Sequence, residues 1–216
     1  MGTTSVAATA GGLDSPGWWH REPVPLTSLA VFLASSPGHD PALRPLARDV
    51  GRELAERGIR VVYGGGGLGL MDDLAQGALD AGGYVIGVIP REMVRREWGR
   101  TDLSEVHVVA DMHARKALMA ERADAFLALP GGLGTLEEIV EVWTWRAIGL
   151  HDKPVAFLDV GGFWTPLLDT VRSLARAGFV AQAVLDDLVV APALDGALAG
   201  ITARLPDTDP GLRPGS

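Results

Sequence analysis

The stretch that most constrains the fold of this chain is an apolar run followed at once by a glycine-rich turn and a helical pattern. Residues 125–129 read AFLAL, residues 130–135 read PGGLGT, and the helical pattern covers residues 136–150. Glycine lets the backbone turn sharply and approach a ligand closely. A helix start offers unpaired N–H groups and a partial positive charge. The sequence therefore predicts a strand–turn–helix corner that binds an anion, most often a phosphate.

Apolar runs and helical segments alternate along residues 27–205. Runs such as LAVFLA at 29–34 and IRVVY at 59–63 are separated by helical patterns and short turns. This alternation indicates a parallel sheet with helices on both faces. We expect a single-domain α/β protein with a Rossmann-like, doubly wound three-layer fold and a mostly parallel sheet. Residues 1–26 are predicted to be a flexible N-terminal extension, and residues 206–216 a C-terminal tail.

Three loops follow predicted strands: SSPG at 35–38, GGGGLG at 64–69 and PGGLGT at 130–135. If the strand before the third loop lies beside the strand before the first, all three meet at one edge of the sheet. Open α/β sheets bind ligands at that edge, where the strand order reverses. The sequence therefore predicts a ligand site there, although glycine runs also make tight turns that bind nothing.

Composition narrows the functional class. The net charge of −8 argues against a nucleic-acid binder, and no apolar run approaches the roughly 20 residues of a membrane span. The absence of cysteine excludes disulfides and thiol catalysis. No secretory signal is evident, so we expect a cytoplasmic protein with no nucleic-acid or membrane partner. Neither GxGxxG with a distant acid nor GxxxxGK[ST] occurs, which argues against a nicotinamide dehydrogenase and a P-loop NTPase. Neither HxxxH nor HExxH occurs, so no metal is expected.

Several motifs occur together and in order. Residues 130–138, PGGLGTLEE, match the pattern PGGxGTxxE, and residues 111–117, DMHARKA, match DMHxRKA. SSPG, YGGG with GLM, and GVIP precede them. Together they resemble the Lonely Guy family, the cytokinin-activating nucleoside 5'-monophosphate phosphoribohydrolases, over about residues 29–205. One departure is the pair Asp72 and Asp73 after GLM, where the family usually has glycine. An acid there would repel a phosphate bound at the same helix start.

The resemblance implies hydrolysis of the N-glycosidic bond of an adenosine 5'-monophosphate, N6-prenylated or plain, to free base and ribose 5-phosphate. It implies no cofactor and a homodimer. Glu138 would steady the positive charge of the sugar or orient water, and Arg115 would bind and polarise the nucleotide. The other residues implied to bind substrate are Glu97, Lys116, Gly131, Gly132, Leu133, Gly134, Thr135, Leu136, Glu137, Thr144, Ser36, Gly38, Gly65 and Gly66.

Other interpretations stay open. Thr135 and Glu138 have the spacing of a capping box, which needs no catalysis. A non-catalytic nucleotide-binding or sensor protein could share the fold. A pyridoxal-phosphate decarboxylase, a label that such sequences often carry, needs a Schiff-base lysine, and only Lys116 and Lys153 exist. Trp143 and Trp145, on the predicted helix after the glycine turn, are interpreted as core or subunit-interface residues and not as base-stacking residues, with a buried dimer contact as the first choice.

Overall fold

The centre of the molecule is a parallel β-sheet. The computed structural model describes residues 25–95 and 98–206. Within them the strands are β1 (Ser28–Phe32), β2 (Arg60–Tyr63), β3 (Val85–Pro90), β4 (Glu105–Val109), β5 (Ala125–Ala128), β6 (Val155–Leu158) and β7 (Val189–Ala191). The helices are α1 (Leu43–Glu56), α2 (Gly69–Asp80), α3 (Arg91–Arg95), α4 (Met112–Arg122), α5 (Leu133–Ala147), α6 (Thr165–Arg176), α7 (Gln182–Asp186) and α8 (Leu194–Thr202), with a 3₁₀ turn at Val160–Gly162.

The strand order is β4-β3-β2-β1-β5-β6-β7, and all adjacent strands are parallel. The chain proceeds outward from β1 to β4 and then crosses back to β5 on the other side of β1. Leu29 pairs with Ala125, and Phe32 pairs with Ala128. The predicted fold class is confirmed, and these two strands are adjacent, which is the condition on which the convergence of the three loops depended. The loops after β1 and β5 therefore leave neighbouring strands at the point where the strand order reverses.

Alternate residues of each strand face opposite sides of the sheet, as the two-residue period of a strand requires. Leu29 and Val31 of β1 pack in a cluster with residues of α1, α2 and α8. Ala30 and Phe32 pack in a second cluster with residues of α4, α5 and α6. The sheet is thus the middle of three layers. Trp143 belongs to the second cluster, where its ring centroid lies 6.0 Å from that of Phe157, and Trp145 packs against the same cluster, so both are core residues. The dimer contact stays a prediction.

Two glycines bring helices α1 and α2 into backbone contact. A Cβ on Gly51 would lie 2.0 Å from the carbonyl oxygen of Leu74, and one on Gly77 would lie 2.0 Å from that of Arg48. Only glycine fits at such a close crossing. Helix α2 is therefore held firmly behind the glycine loop from which it starts.

The structure differs from the sequence prediction at the start of α5. The helix begins at Leu133, three residues before the predicted start at residue 136, because only Gly132 is extended and the following residues already adopt helical geometry. Helix α7 was not predicted. No helix in residues 25–95 and 98–206 is long and apolar enough to cross a membrane. The predicted N-terminal extension up to residue 24 and the tail from residue 207 lie outside the described residues.

Candidate active site

A cavity of about 500 Å³ opens at the carboxyl edge of the sheet, where the loops after β1, β2 and β5 meet. It is lined by Leu33, Ala34, Ser35, Ser36, Gly64, Gly66, Leu68, Met71, Ile89, Met93, Trp98, Met112, Arg115, Gly132, Leu133, Gly134, Thr135, Glu137 and Glu138. The convergence of three loops that the glycine runs predicted is therefore present in the structure.

One wall of the cavity is the N-terminus of α5. Gly132 precedes the helix with an extended backbone and no side-chain cap, so the N–H groups of the first turn are left for another acceptor. A Cβ on Gly131 would lie 2.1 Å from the Thr135 hydroxyl oxygen, so only glycine permits this turn. Since Gly132 is the N-cap and Thr135 lies inside the first turn, the capping-box interpretation is wrong. The corner has the geometry of an anion site.

Arg115 and Glu138 meet at the floor of the cavity. Asp111 caps α4 by accepting a hydrogen bond from the backbone N–H of Ala114 at 2.9 Å, and the helix starts at Met112, three residues before Arg115. Arg115 Nε donates to the carbonyl oxygen of Val88 at 3.2 Å, and Nη1 lies 3.3 Å from Glu138 Oε1. Both side chains are 5% exposed. The structure therefore holds a charged pair in a fixed position beside the anion site.

The guanidinium group occupies the space that a side chain on Gly64 would fill. A Cβ on Gly64 would lie only 1.6 Å from Arg115 Nη2. Glycine is therefore required at position 64, the first of the run at 64–69, by the packing of Arg115 as well as by the turn.

Burial raises the pKa of the Glu138 carboxyl above its ordinary value, and the positive charge of Arg115 opposes this rise. Glu137 and Glu141 add to the rise, while Lys116 opposes it. A buried carboxylate with one adjacent cation is a strong local charge, because little water screens it. It is suited to stabilising positive charge that develops close by.

Lys116 is buried next to the cavity but is not part of its lining. Its Nζ forms an ion pair with Glu137 and lies 2.7 Å from Glu141 Oε2. Burial lowers the pKa of Lys116, but the hydrogen bonds that its ammonium donates to the two carboxylates outweigh burial and hold the pKa above its ordinary value. Lys153 donates from Nζ to the carbonyl oxygen of Ala120 at 2.5 Å and also does not line the cavity. Neither lysine is positioned to react with a ligand there.

The structure brings together most of the site residues inferred from sequence. Those that line the cavity are Ser36, Gly66, Arg115, Gly132, Leu133, Gly134, Thr135, Glu137 and Glu138. Those that do not are Gly38, Gly65, Lys116, Gly131, Leu136 and Thr144. Glu97 lies outside the described residues.

Physical reasons account for several of these differences. The Thr144 side chain is exposed, and its hydroxyl donates to the carbonyl oxygen of Val140 at 2.7 Å. Gly38 is turned toward Leu43, because a Cβ there would lie 3.0 Å from Leu43 Cδ1. Leu136 is directed into the core cluster that contains α5. These residues shape the surroundings of the cavity without facing it.

Sequence reasoning missed the apolar side of the cavity. We call Leu68, Met71, Ile89, Met93 and Trp98 the apolar wall. The only signal for it was that two of these residues lie in the charged, irregular segment 91–101, which was interpreted as a loop or short helix near a site. Met71 and Ile89 lie in the GLM and GVIP matches, but nothing there indicated that their side chains face a cavity, because apolar residues at strand ends and helix starts are usually core.

The acidic pair that departs from the family pattern points away from the cavity. Asp73 forms a bidentate pair with Arg44, at 2.7 and 3.0 Å, and Asp72 Oδ1 lies 2.8 Å from Arg100 Nη1. Neither acid lines the cavity. The expected repulsion of a bound phosphate is therefore offset by two arginines and by the orientation of the side chains.

Among the residues that the structure describes, no group of three His, Asp or Glu side chains is arranged to hold a metal ion. The polar groups around the cavity are instead helix N–H groups, one guanidinium and two carboxylates. These groups can bind an anion and stabilise a cation within one site.

Comparison with known proteins agrees with this geometry. The family model described as "Possible lysine decarboxylase" matches residues 71–201. The chain is 46% identical over 164 residues to the cytokinin riboside 5'-monophosphate phosphoribohydrolase LOG3 of Arabidopsis thaliana, which covers 76% of each chain. It is 46% identical over 175 residues to the cytokinin riboside 5'-monophosphate phosphoribohydrolase of Rhodococcoides fascians, which covers 81% of this chain and 88% of the relative.

Solved structures share the fold. The molybdenum cofactor carrier protein of Chlamydomonas reinhardtii superposes with a TM-score of 0.62 over 84% of this chain and 99% of the carrier, at 23% identity. At that identity the likeness concerns the fold alone.

Proposed function

The chain belongs to the Lonely Guy family of phosphoribohydrolases, and we propose that it hydrolyses the N-glycosidic bond of adenosine 5'-monophosphates, with or without an N6 substituent. Water is the co-substrate, and the products are the free base, a cytokinin or adenine, and ribose 5-phosphate. The observation that carries the proposal is the buried Arg115–Glu138 pair beside the open helix start of α5. One cavity offers the start of α5 for the phosphate, Glu138 for the sugar and the apolar wall for the base.

The 5'-phosphate binds at the start of α5. The backbone N–H groups of Leu133, Gly134 and Thr135 donate to its oxygens, and the Thr135 hydroxyl adds a further donor. Leu133 is 85% exposed, so the nucleotide reaches this corner directly from solvent. The phosphate fixes one end of the substrate and leaves the sugar over Glu138, one helical turn further along.

The reaction breaks the bond between C1' of the ribose and N9 of the base. The bonding electrons leave with the base, and the sugar carbon acquires positive charge, as in other glycoside hydrolyses. The Glu138 carboxylate stabilises that charge. Water adds its oxygen to C1' and keeps one hydrogen there as the new hydroxyl, while its other proton passes, through solvent or a nearby acceptor, to the departing base. Arg115 holds the carboxylate in position and polarises the nucleotide.

The base lies against the apolar wall. Its five side chains offer a surface suited to an adenine ring and to an alkyl group on N6. No charged side chain of the described cavity lining belongs to this wall. Plain AMP fills the same site with fewer apolar contacts.

A decarboxylase activity, as in the description of the family model, would require a lysine that forms a Schiff base with pyridoxal phosphate. The chain has only two lysines. Lys116 is paired with two carboxylates and Lys153 with a backbone carbonyl, and both lie outside the cavity lining. The residues present do not fit that cofactor.

The test is a base-release assay on the purified protein with AMP and N6-isopentenyl-AMP. Chromatography should detect free base and an equal amount of ribose 5-phosphate. Binding of AMP without release of base from either nucleotide would instead support the alternative, a non-catalytic nucleotide sensor of the same fold. Homodimer formation and a cytoplasmic location stay predictions, the first of which analytical ultracentrifugation would test.

A further inference from the structure

The segment 98–100 lies along the glycine loop after β2. The backbone N–H of Gly67 donates to the carbonyl oxygen of Trp98 at 2.8 Å, and the N–H of Arg100 donates to that of Gly65 at 3.0 Å. Gly66 and Gly99 form an antiparallel bridge between these bonds. Residues 98–100, in the second half of the charged, irregular segment 91–101, are thus fixed against the glycine loop that lines the cavity.

The Arg100 side chain fastens the same segment to α2. Its Nη1 lies 2.8 Å from Asp72 Oδ1, and its Nη2 donates to Gln76 Oε1 at 2.9 Å. Asp72 and Gln76 are one helical turn apart on α2. Asp102 accepts two further hydrogen bonds from the guanidinium, at 2.9 and 2.6 Å. The Arg100 side chain is only 9% exposed, so solvent screens these contacts weakly.

Arg100 lies between two parts of the apolar wall without touching the cavity. Met71, on one part, immediately precedes Asp72, and Trp98, on the other, is two residues before Arg100. A Cβ on Gly66 would lie 3.0 Å from Met71 Sδ, and one on Gly99 would lie 2.9 Å from Ile89 Cδ1. The wall and the segment 98–100 therefore pack with little spare space. Any movement of the segment relative to α2 changes the width of the wall.

We propose that Arg100 is a positioning residue that fixes the spacing of Met71 and Trp98 and thereby sets how tightly the cavity holds an apolar group on the substrate's base. The inference rests on the proposed function, because it assumes that the base lies against the apolar wall. Arg100 acts through Trp98 and α2 and does not touch the reacting atoms. Asp72, which departs from the family pattern, is then the acid on α2 that binds Arg100 and holds the segment 98–100 in place.

The test compares Arg100→Ala with the matched control Arg48→Ala. Arg48 also pairs with an acid of α2, Asp80, at 2.5 Å, but both side chains are about half exposed and neither lines the cavity. For Arg100→Ala, KM for N6-isopentenyl-AMP should rise about tenfold, the order that a few displaced apolar contacts produce, while kcat changes less than twofold. KM for AMP should rise much less. Arg48→Ala should leave both KM values unchanged, and Arg100→Lys should restore part of the selectivity.

A second variant and a second readout keep the test decisive. Asp72→Asn removes the anchor charge without removing the arginine, and should shift the ratio of the two KM values in the same direction. Hydrogen–deuterium exchange of the backbone amides at positions 67 and 100 should be faster in Arg100→Ala than in the wild type, and unchanged in Arg48→Ala. An unchanged KM ratio in both Arg100→Ala and Asp72→Asn would overturn the inference.

Failure of the proposed function can be distinguished from failure of the positioning role of Arg100. If the wild-type protein releases no base from either nucleotide, the hydrolase assignment fails. Dissociation constants of AMP and N6-isopentenyl-AMP, measured by calorimetry on the wild type and Arg100→Ala, then test the positioning role. A selectivity for the isopentenyl group that Arg100→Ala abolishes would support it, and equal selectivity in the two proteins would overturn it.

Discussion

Arg115 Nη1 lies 3.3 Å from Glu138 Oε1, and the two side chains come from different helices and are both 5% exposed. A buried ion pair contributes little net stability, because desolvation of both groups costs about as much as their attraction gains. Its value here is positional. The carbonyl oxygen of Val88 accepts a hydrogen bond from Arg115 Nε and fixes the guanidinium, and the guanidinium in turn holds the carboxylate where the sugar of a nucleotide anchored at the start of α5 would lie.

Replacement of Glu138 by Gln should abolish most of the activity. The amide keeps the shape of the side chain but removes the charge that faces the developing cation, so kcat should fall at least about 100-fold. Base release from AMP and N6-isopentenyl-AMP measures the loss, and circular dichroism checks that the variant is folded. Glu121→Gln, on the exposed end of α4, is the control and should retain wild-type kcat. Full activity of Glu138→Gln would remove the carboxylate from the mechanism.

The acid side of the pH profile should report Glu138. Burial raises the pKa of this carboxyl above the ordinary value of 4.5, and its negative charge is lost as the pH falls through the raised value. The limb of kcat/KM at low pH should therefore lie above pH 4.5, since kcat/KM follows the ionisation of the free enzyme. Initial rates across the acidic to neutral range, in buffers of constant ionic strength, give the midpoint. A midpoint at or below 4.5 would contradict the assignment.

Gly64→Ala should disable the site although neither charged residue is substituted. The added Cβ would fall 1.6 Å from Arg115 Nη2, so the guanidinium must move away from its present position. Displacement of a catalytic group by about 1 Å can cost roughly 100-fold in rate, and we expect a fall of that order in kcat. Gly196→Ala on α8, remote from the cavity, is the matched control. Equal rates for the two alanine variants would show that the position of Arg115 is unimportant.

The sequence was sufficient for the parts of the site that depend on local backbone geometry. The glycine turn at 130–135 and the apolar run before it predicted a helix start facing a ligand, and the motif containing Arg115 supplied its partner. The convergence of the loops depended on β5 lying beside β1, and the structure pairs these two strands. Each of these inferences uses residues that are close in sequence or a rule that holds for all parallel sheets.

The rest depended on packing that no local pattern encodes. The pairs Arg44–Asp73 and Arg100–Asp72 join residues 29 and 28 positions apart, and both require α2 to lie where Gly51 and Gly77 allow it. The segment 91–101 pointed to only part of the apolar wall, because Met71 and Ile89 would be core residues in most folds. Thr144 was placed in the site only by analogy, and its side chain faces solvent.

Asp124 should prove important for the stability of the sheet, at the edge opposite to the one that carries the site. Its Oδ2 accepts hydrogen bonds from the N–H of Thr27 at 2.9 Å, the Thr27 hydroxyl at 2.7 Å and the N–H of Ser28 at 2.9 Å, which ties the start of β1 to the start of β5. Burial raises the pKa of this carboxyl, but these hydrogen bonds outweigh burial and hold the pKa below 3.8. The stabilisation is therefore fully present above pH 3.8 and is lost as the pH falls through the lowered pKa.

Asp124→Ala should lower the free energy of unfolding by about 2–4 kcal/mol at neutral pH, the order expected when several hydrogen bonds to one charged group are lost. Urea denaturation measures the difference, and Asp49→Ala, an exposed acid of α1 that pairs with Arg52 at 3.2 Å, is the control with an expected change below about 1 kcal/mol. Below pH 3.8 the wild type and Asp124→Ala should converge, because the wild-type carboxyl becomes protonated there. A difference that stays constant as the pH falls would show that Asp124 acts through packing and not through its charge.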